Sequence, residues 1–114
     1  MVSGKQARVV LVTCGSLAEA RRIARAVVEA RLAACVNIVG APVESIYRWK
    51  GKVEKAREIL LVMKTTAGRL AALEREVRRL HSYDVPEFIA LTVSAGSREY
   101  LRWLQLCVAA GRNR

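Results

Sequence analysis

VESIYRWKGKVEKAREILLVMK, residues 43–64, reads as two strands folded about a tight reversal. In the first half Val43, Ser45, Tyr47 and Trp49 alternate onto one face, as successive strand residues do. Lys50-Gly51 is a turn signal. The chain then returns from Val53 to Lys64 as one long strand whose apolar centre is Ile59-Leu60-Leu61-Val62-Met63. Such a hairpin exceeds the usual strand length of about 3–10 residues. Its outer half extends beyond what the core of a 114-residue chain can cover.

Outward from the hairpin, Ala34–Val39 (ACVNIV) is a strand broken by Gly40-Ala41-Pro42. Proline has no N–H for a ladder, so the break predicts a bulge or bend near a sheet edge. Upstream, Ala7–Thr13 (ARVVLVT) is a valine-rich run suited to a buried strand. Ser16 with Glu19 forms a capping-box pattern, and Ala20, Ile23, Ala24, Val27 and Val28 follow at helical spacing with arginines opposite. Downstream, Thr66 is expected to cap a helix with a stripe of Leu70, Leu73, Val77 and Leu80. Glu87–Ser94 is the fourth strand, and a helix from Arg98 to about Ala110 ends the chain. The order β-α-β-β-α-β predicts an α+β protein, a ferredoxin-like βαββαβ sandwich with an extra C-terminal helix and a long β-hairpin. Residues 1–114 read as a single domain, without repeats.

The composition, 53% hydrophobic and 26% charged, is globular. No apolar run reaches the ~20 residues that span a bilayer, and the N-terminus reads as a strand rather than a signal peptide. Twenty Lys+Arg against ten Asp+Glu give a net charge of +10. The basic residues are spread along the chain: Arg21, Arg22, Arg25 and Arg31, then Arg69, Arg75, Arg78 and Arg79, then Arg112 and Arg114. That spread reads as a solvated face in preference to a nucleic-acid groove.

Cys14, Cys35 and Cys107 cannot all pair within one chain, and the sequence has neither a C-x-x-C nor a second histidine. A closed zinc site and a redox motif are therefore not written here, and a cytoplasmic location is expected. The lone histidine lies in HSYDVPE, residues 81–87, between a helical and a strand pattern. Three roles are open to it: a helix C-terminal residue bonding the last carbonyls, a metal ligand shared with a cysteine, or a general acid/base. Cys35 in its apolar strand and Cys107 in the last helix read as packing. Cys14, at a strand end just before a helix N-terminus, is expected to expose its sulfur and to have a lowered pKa. Thiolate with imidazole favours copper over magnesium or calcium, so Cys14 and His81 are the candidate metal ligands.

The motifs Val12-Thr13-Cys14, RLAACVNI (residues 31–38), SIYRWKGKV (45–53), Lys64-Thr65, HSYDVPE (81–87), Ile89-Ala90-Leu91 and YLRWL (100–104) resemble, in order and spacing, the CutA divalent-cation-tolerance proteins. The resemblance runs from about residue 7 to 108. It implies a ferredoxin-like protomer assembled as a tight cyclic trimer, similar in architecture to the PII nitrogen-signalling proteins, in a family named for tolerance to copper and other divalent cations. Three places depart from the family pattern. Ser82 and Asp84 stand where His-Pro-Tyr-Glu is common, Gly15-Ser16-Leu17 lacks the usual proline and acidic residue, and Lys50 occupies an often acidic position. The family's histidine motif transfers only to His81.

Copper or another divalent metal is thus the expected ligand, with none required for folding. Tyr47, Trp49, Tyr100, Trp103 and Leu104 are the expected trimer interface, since aromatics on a hairpin tip and on a helix apolar nearly all round anchor subunit contacts. Trp49, Lys64, Tyr83 and Glu87 form a candidate inter-subunit cleft where a small anion can pair with Lys64. An RNA-binding sheet built on Tyr47 and Trp49, or a PII-like small-anion signalling trimer, is the alternative. No RNP1 pattern supports the RNA reading, which makes nucleic acid an unexpected partner. No membrane partner is expected. Catalytic motifs are absent: the sequence has no glycine-rich phosphate loop and no H-E-x-x-H, so no enzyme is expected.

Overall fold

The computed structural model describes residues 1–109. Its elements are β1 (Val2–Ser3), β2 (Ala7–Cys14), α1 (Leu17–Glu29), β3 (Cys35–Ile38), β4 (Val43–Trp49), β5 (Lys52–Thr66), α2 (Leu70–Leu80), β6 (Ile89–Thr92), β7 (Ala95–Gly96) and α3 (Arg98–Cys107). A five-stranded antiparallel sheet runs β3-β5-β2-β6, with β4 pairing the outer part of β5. This is the ferredoxin-like α+β arrangement. β1 and β7, two residues each, pair separately and carry too short a pattern to be read from sequence. The last helix was expected to reach Ala110, which lies outside the described residues.

The 15-residue β5 is the spine of the sheet. Its inner half is flanked by β2 (Thr13↔Leu60, Leu11↔Val62) and β3 (Asn37↔Val62). Its outer half pairs only with β4, from Val43↔Glu58 to Trp49↔Lys52. The break at residues 39–42 is therefore an offset between β3 and β4 along a single partner strand. Lys50 (φ 50°) and Gly51 (φ 82°) form a two-residue turn with both central residues left-handed, the type I′ geometry that matches strand twist.

One face of the sheet is sealed by the helices. Val10, Val12, Leu61 and Met63 meet Ile23 and Val27 of α1 and Leu73 and Val77 of α2, all fully buried. α1 ends in a Schellman motif: the N–H of Leu32 donates to Val27 O (2.9 Å) and that of Arg31 to Val28 O (3.0 Å). Arg31 takes the left-handed position (φ 59°) usually given to glycine. Its carbonyl accepts from Arg69 Nε at 3.3 Å and its guanidinium donates to Cys107 O at 3.2 Å, joining α1, α2 and α3.

On the opposite face a second small cluster, Ala7, Ala34, Leu104 and Val108, lies under α3. Leu104 is 2% exposed, which corrects its assignment to a subunit interface: its own protomer already covers it. The remainder of that face is open. Ile89 and Leu91 are 48% and 47% exposed, opposite Leu11 and Val9 in register.

Candidate functional site

The segment after α2 is built on a carboxylate that the sequence pattern misassigned. Ser16 caps α1, its Oγ accepting from Glu19 N–H at 3.1 Å. The Glu19 side chain turns instead to the neighbouring loop, where Oε2 accepts from Ser82 N–H at 2.7 Å and Oε1 from Ser82 Oγ at 3.1 Å. Burial alone would raise the Glu19 pKa, but the Ser82 donors, the His81 ring and the Gly15 N–H outweigh it and hold the carboxyl below its ordinary range.

His81 is the C-cap of α2 through its backbone N–H, which donates to Val77 O at 2.9 Å. Its ring does not bond the last carbonyls of its own helix. Nε2 lies 2.7 Å from Thr13 O, and Nδ1 accepts from Tyr83 N–H at 3.1 Å. When the ring is neutral those partners select the Nε2–H tautomer, because a carbonyl can only accept and an N–H only donate. Glu19 Oε2 stands 3.5 Å from Nδ1, and the Tyr83 ring is 4.6 Å away.

Tyr83 then donates its hydroxyl to Glu58 Oε2 at 2.8 Å, tying the loop to β5. Burial, this bond and the Glu58 charge push the phenol pKa upward. Beside the bond is a hollow of about 640 Å³ whose lining includes Trp49, Tyr47, Glu58, Tyr83, Asp84 and Glu87. Among the described residues, no lysine or arginine lines it. Burial, and secondarily the Glu58 charge, raise the Glu87 pKa, the behaviour of carboxylates that share a site without a compensating cation. Among the described residues, no three His, Cys, Asp or Glu side chains come together as a metal-holding group.

A sequence profile of the CutA1 divalent ion tolerance proteins matches residues 8–107. The chain belongs to the CutA1 family. It is 53% identical over 97 residues to the divalent-cation tolerance protein CutA of Thermus thermophilus, a match covering 85% of this chain and 93% of the relative. It is 49% identical to human Protein CutA, of which it spans 52% of the length while 82% of this chain is covered. The solved structure of the Thermus thermophilus protein superposes with a TM-score of 0.84 over 86% of this chain and 94% of that one, at 52% identity. A protein described as the periplasmic divalent cation tolerance protein of Archaeoglobus fulgidus gives a TM-score of 0.86 at 38% identity, covering 90% and 98% of the two chains.

Within this CutA1-family fold the expected site residues separate. Cys14 is fully buried, and burial followed by the charges of Glu19 and Glu58 pushes its thiol up to about 12, against a smaller opposing effect of Arg22. The expectation of an exposed, low-pKa sulfur is thus corrected: the strand end is roofed by α1 and faces two carboxylates. His81 has both ring nitrogens engaged, so Cys14 and His81 do not fit a soft-metal pair within one protomer. Trp49, Tyr83 and Glu87 do share one hollow. Lys64 does not join them; its ammonium meets Asn37 Oδ1 and stands 4.0 Å from Cys35 Sγ. Cys35 is half-buried rather than core. Tyr47, Trp49, Tyr100 and Trp103 are 42–44% exposed. Glu58 and Asp84 escaped the sequence reading. No local signal marked Glu58: it lies out of phase with the buried positions Ile59, Leu61 and Met63 of β5. It is brought to 8% exposure by Tyr83 and the loop after α2, which pack over it from a distant part of the sequence.

Proposed function

We propose that this CutA1-family protein works as a homotrimer that binds divalent cations, copper first, and that the acidic hollow makes the first contact with the ion. The observation that carries this reading is the meeting of Glu58 and Glu87 in a partly buried lining that holds no cationic side chain among the described residues, where a divalent ion relieves their repulsion. Oxygen ligands admit many divalent ions, and among divalent first-row metals Cu²⁺ gives the highest affinity at such sites. An anion is disfavoured by the same lining, since Lys64 lies elsewhere. RNA stacking on Tyr47 and Trp49 is disfavoured because both side chains border these carboxylates. We read the protein as a binder and not an enzyme, because the single imidazole is occupied on both nitrogens. A cytoplasmic location suits its three free thiols.

Assembly follows from what the protomer leaves bare. Ile89 and Leu91 on β6 and the aromatics of the hairpin and α3 are exposed, and the unpaired edges of the outer hairpin are an aggregation hazard unless another chain covers them. A cyclic trimer covers the open sheet face and pairs the hairpins, giving a mass of about 38 kDa, three times 12.6 kDa. Calorimetric titration with Cu²⁺ should give a saturable isotherm that Glu87→Gln weakens at least tenfold, while Cys14→Ser leaves it unchanged. If Cys14→Ser abolishes the isotherm and Glu87→Gln does not, the ion uses the thiol and the hollow is not its site. Light scattering over a hundredfold dilution should hold the trimer mass, and Trp49→Ala should weaken the trimer by about 2 kcal/mol per site.

A further inference from the structure

The arginines that are dispersed in sequence are gathered on one surface by the fold. α1 and α2 lie side by side and antiparallel, because Glu19 near the start of α1 meets Ser82 just past the end of α2, and Arg31 past the end of α1 meets Arg69 just before α2. Their inner residues, Ile23, Val27, Leu73 and Val77, are fully buried against the sheet. Helical periodicity therefore sends Arg21, Arg22 and Arg25 outward from α1 and Arg75, Arg78 and Arg79 outward from α2, and all six are exposed. A shallow hollow along α2 is lined by Leu32 and Ala72, by Arg75, Arg78 and Arg79, and by Glu76.

Glu29, Glu74 and Glu76 stand against the six arginines, so the surface keeps a net excess of three positive charges. Glu19 is turned inward to Ser82. Arg25 pairs with Glu29 at 3.6 Å and Arg79 with Glu76 at 2.6 Å. Arg21, Arg22, Arg75 and Arg78 have no ion pair among the described residues. Every basic residue in segments 17–31 and 67–80 is arginine, and neither segment contains lysine, an aromatic or histidine.

We propose that this two-helix layer is a docking surface for the phosphodiester backbone of double-stranded nucleic acid, bound without sequence readout. Arginine presents a planar fork that grips phosphate bidentately, which lysine cannot do. α1 has 13 residues and so spans roughly 20 Å, a length over which a duplex presents about 12 phosphate charges. The absence of aromatics removes the stacking platform that single strands need. Val28, at 39%, is the one large apolar side chain of the two helices with substantial exposure, and membrane-surface helices need an apolar face to insert.

Fluorescence anisotropy with a labelled duplex of about 20 base pairs, two helical turns, tests the proposal. Four free arginines predict a salt slope of about −3.6, hence roughly 150-fold weaker binding at 200 mM than at 50 mM salt. The triple variant Arg22→Glu, Arg75→Glu and Arg78→Glu should abolish binding at 50 mM salt. The control triple Lys52→Glu, Lys55→Glu and Arg57→Glu on the hairpin, with the same change in formal charge, should weaken it no more than about threefold. The milder triple to glutamine, checked by circular dichroism, covers loss of fold in the first. Absence of binding at 50 mM salt overturns the proposal. So does equal weakening by the two glutamate triples, which would make net charge the sole cause. Binding by the wild type to phosphatidylserine vesicles but not to the duplex would assign the surface to membranes and overturn it as well.

Discussion

The two faces of the β2–β5–β6 region are made from the same kinds of residue and have opposite fates. On one, Leu61 and Met63 are 0% exposed beneath α1 and α2; on the other, Ile89 and Leu91 remain about half exposed beside Leu11 and Val9. Both faces are rich in valine, leucine and isoleucine, so hydrophobicity alone does not decide burial. The deciding factor is that α1 and α2 cover one side whereas α3 reaches only the end around Ala7 and Ala34. The sealed face holds the protomer together; the open face is the one that the proposed trimer would cover.

The largest way to break that contrast is at the sealed face. Leu61→Ala should cost about 2–5 kcal/mol in urea unfolding through lost burial and a residual cavity. A loss below about 1 kcal/mol would mean that this face is not the core. At the open face, Ile89→Asp with Leu91→Asp should leave far-ultraviolet circular dichroism unchanged while light scattering falls from the mass of the proposed trimer to that of the 12.6 kDa protomer. Loss of secondary structure instead would make the two faces equivalent.

A smaller effect is expected at the seam between α1 and the loop after α2. Glu19→Ala leaves the Ser82 N–H and hydroxyl without their acceptor and should cost about 1–3 kcal/mol. The native Glu19 pKa is depressed, so the folded state binds fewer protons than the unfolded one. Its contribution is complete above the ordinary value of 4.5 and is lost as pH falls through the native value. Wild-type and variant stability curves should converge in that acid range. Smallest is Glu87→Gln. The native carboxyl pKa is raised, so ionisation above about 4.5 opposes folding, and the variant should unfold at a slightly higher temperature than wild type at neutral pH. Equal melting temperatures at every pH would remove the electrostatic tension assigned to the hollow.

The hairpin was legible because alternation, a Lys-Gly reversal and length each act locally, and Lys50 and Gly51 adopt the turn that the pair implies. The helices were legible from their apolar stripes. Their ends were less so: Thr66 makes no side-chain cap, and Arg31 fills a left-handed position with no glycine to mark it. The candidate site was half legible. Trp49, Tyr83 and Glu87 do share a hollow, but Glu58 completes it from β5, and Lys64 diverges to Asn37. Glu19 shows why: a capping-box glutamate has a local partner in sequence, yet Ser82, 63 residues away, offers two donors and wins it.

What the sequence determined by itself is whatever depends on neighbours within a few residues: the order of strands and helices, the long hairpin, the motifs of the CutA1 family, and the charge of +10. What only the tertiary structure decided is which groups meet. Packing buries Cys14 and raises its thiol pKa, takes both nitrogens of His81, brings Glu58 beside Tyr83, and draws arginines from two distant helices onto one surface. Accessibility and pKa depend on desolvation and on charges brought near by long-range contacts, and neither is a property of a residue and its sequence neighbours.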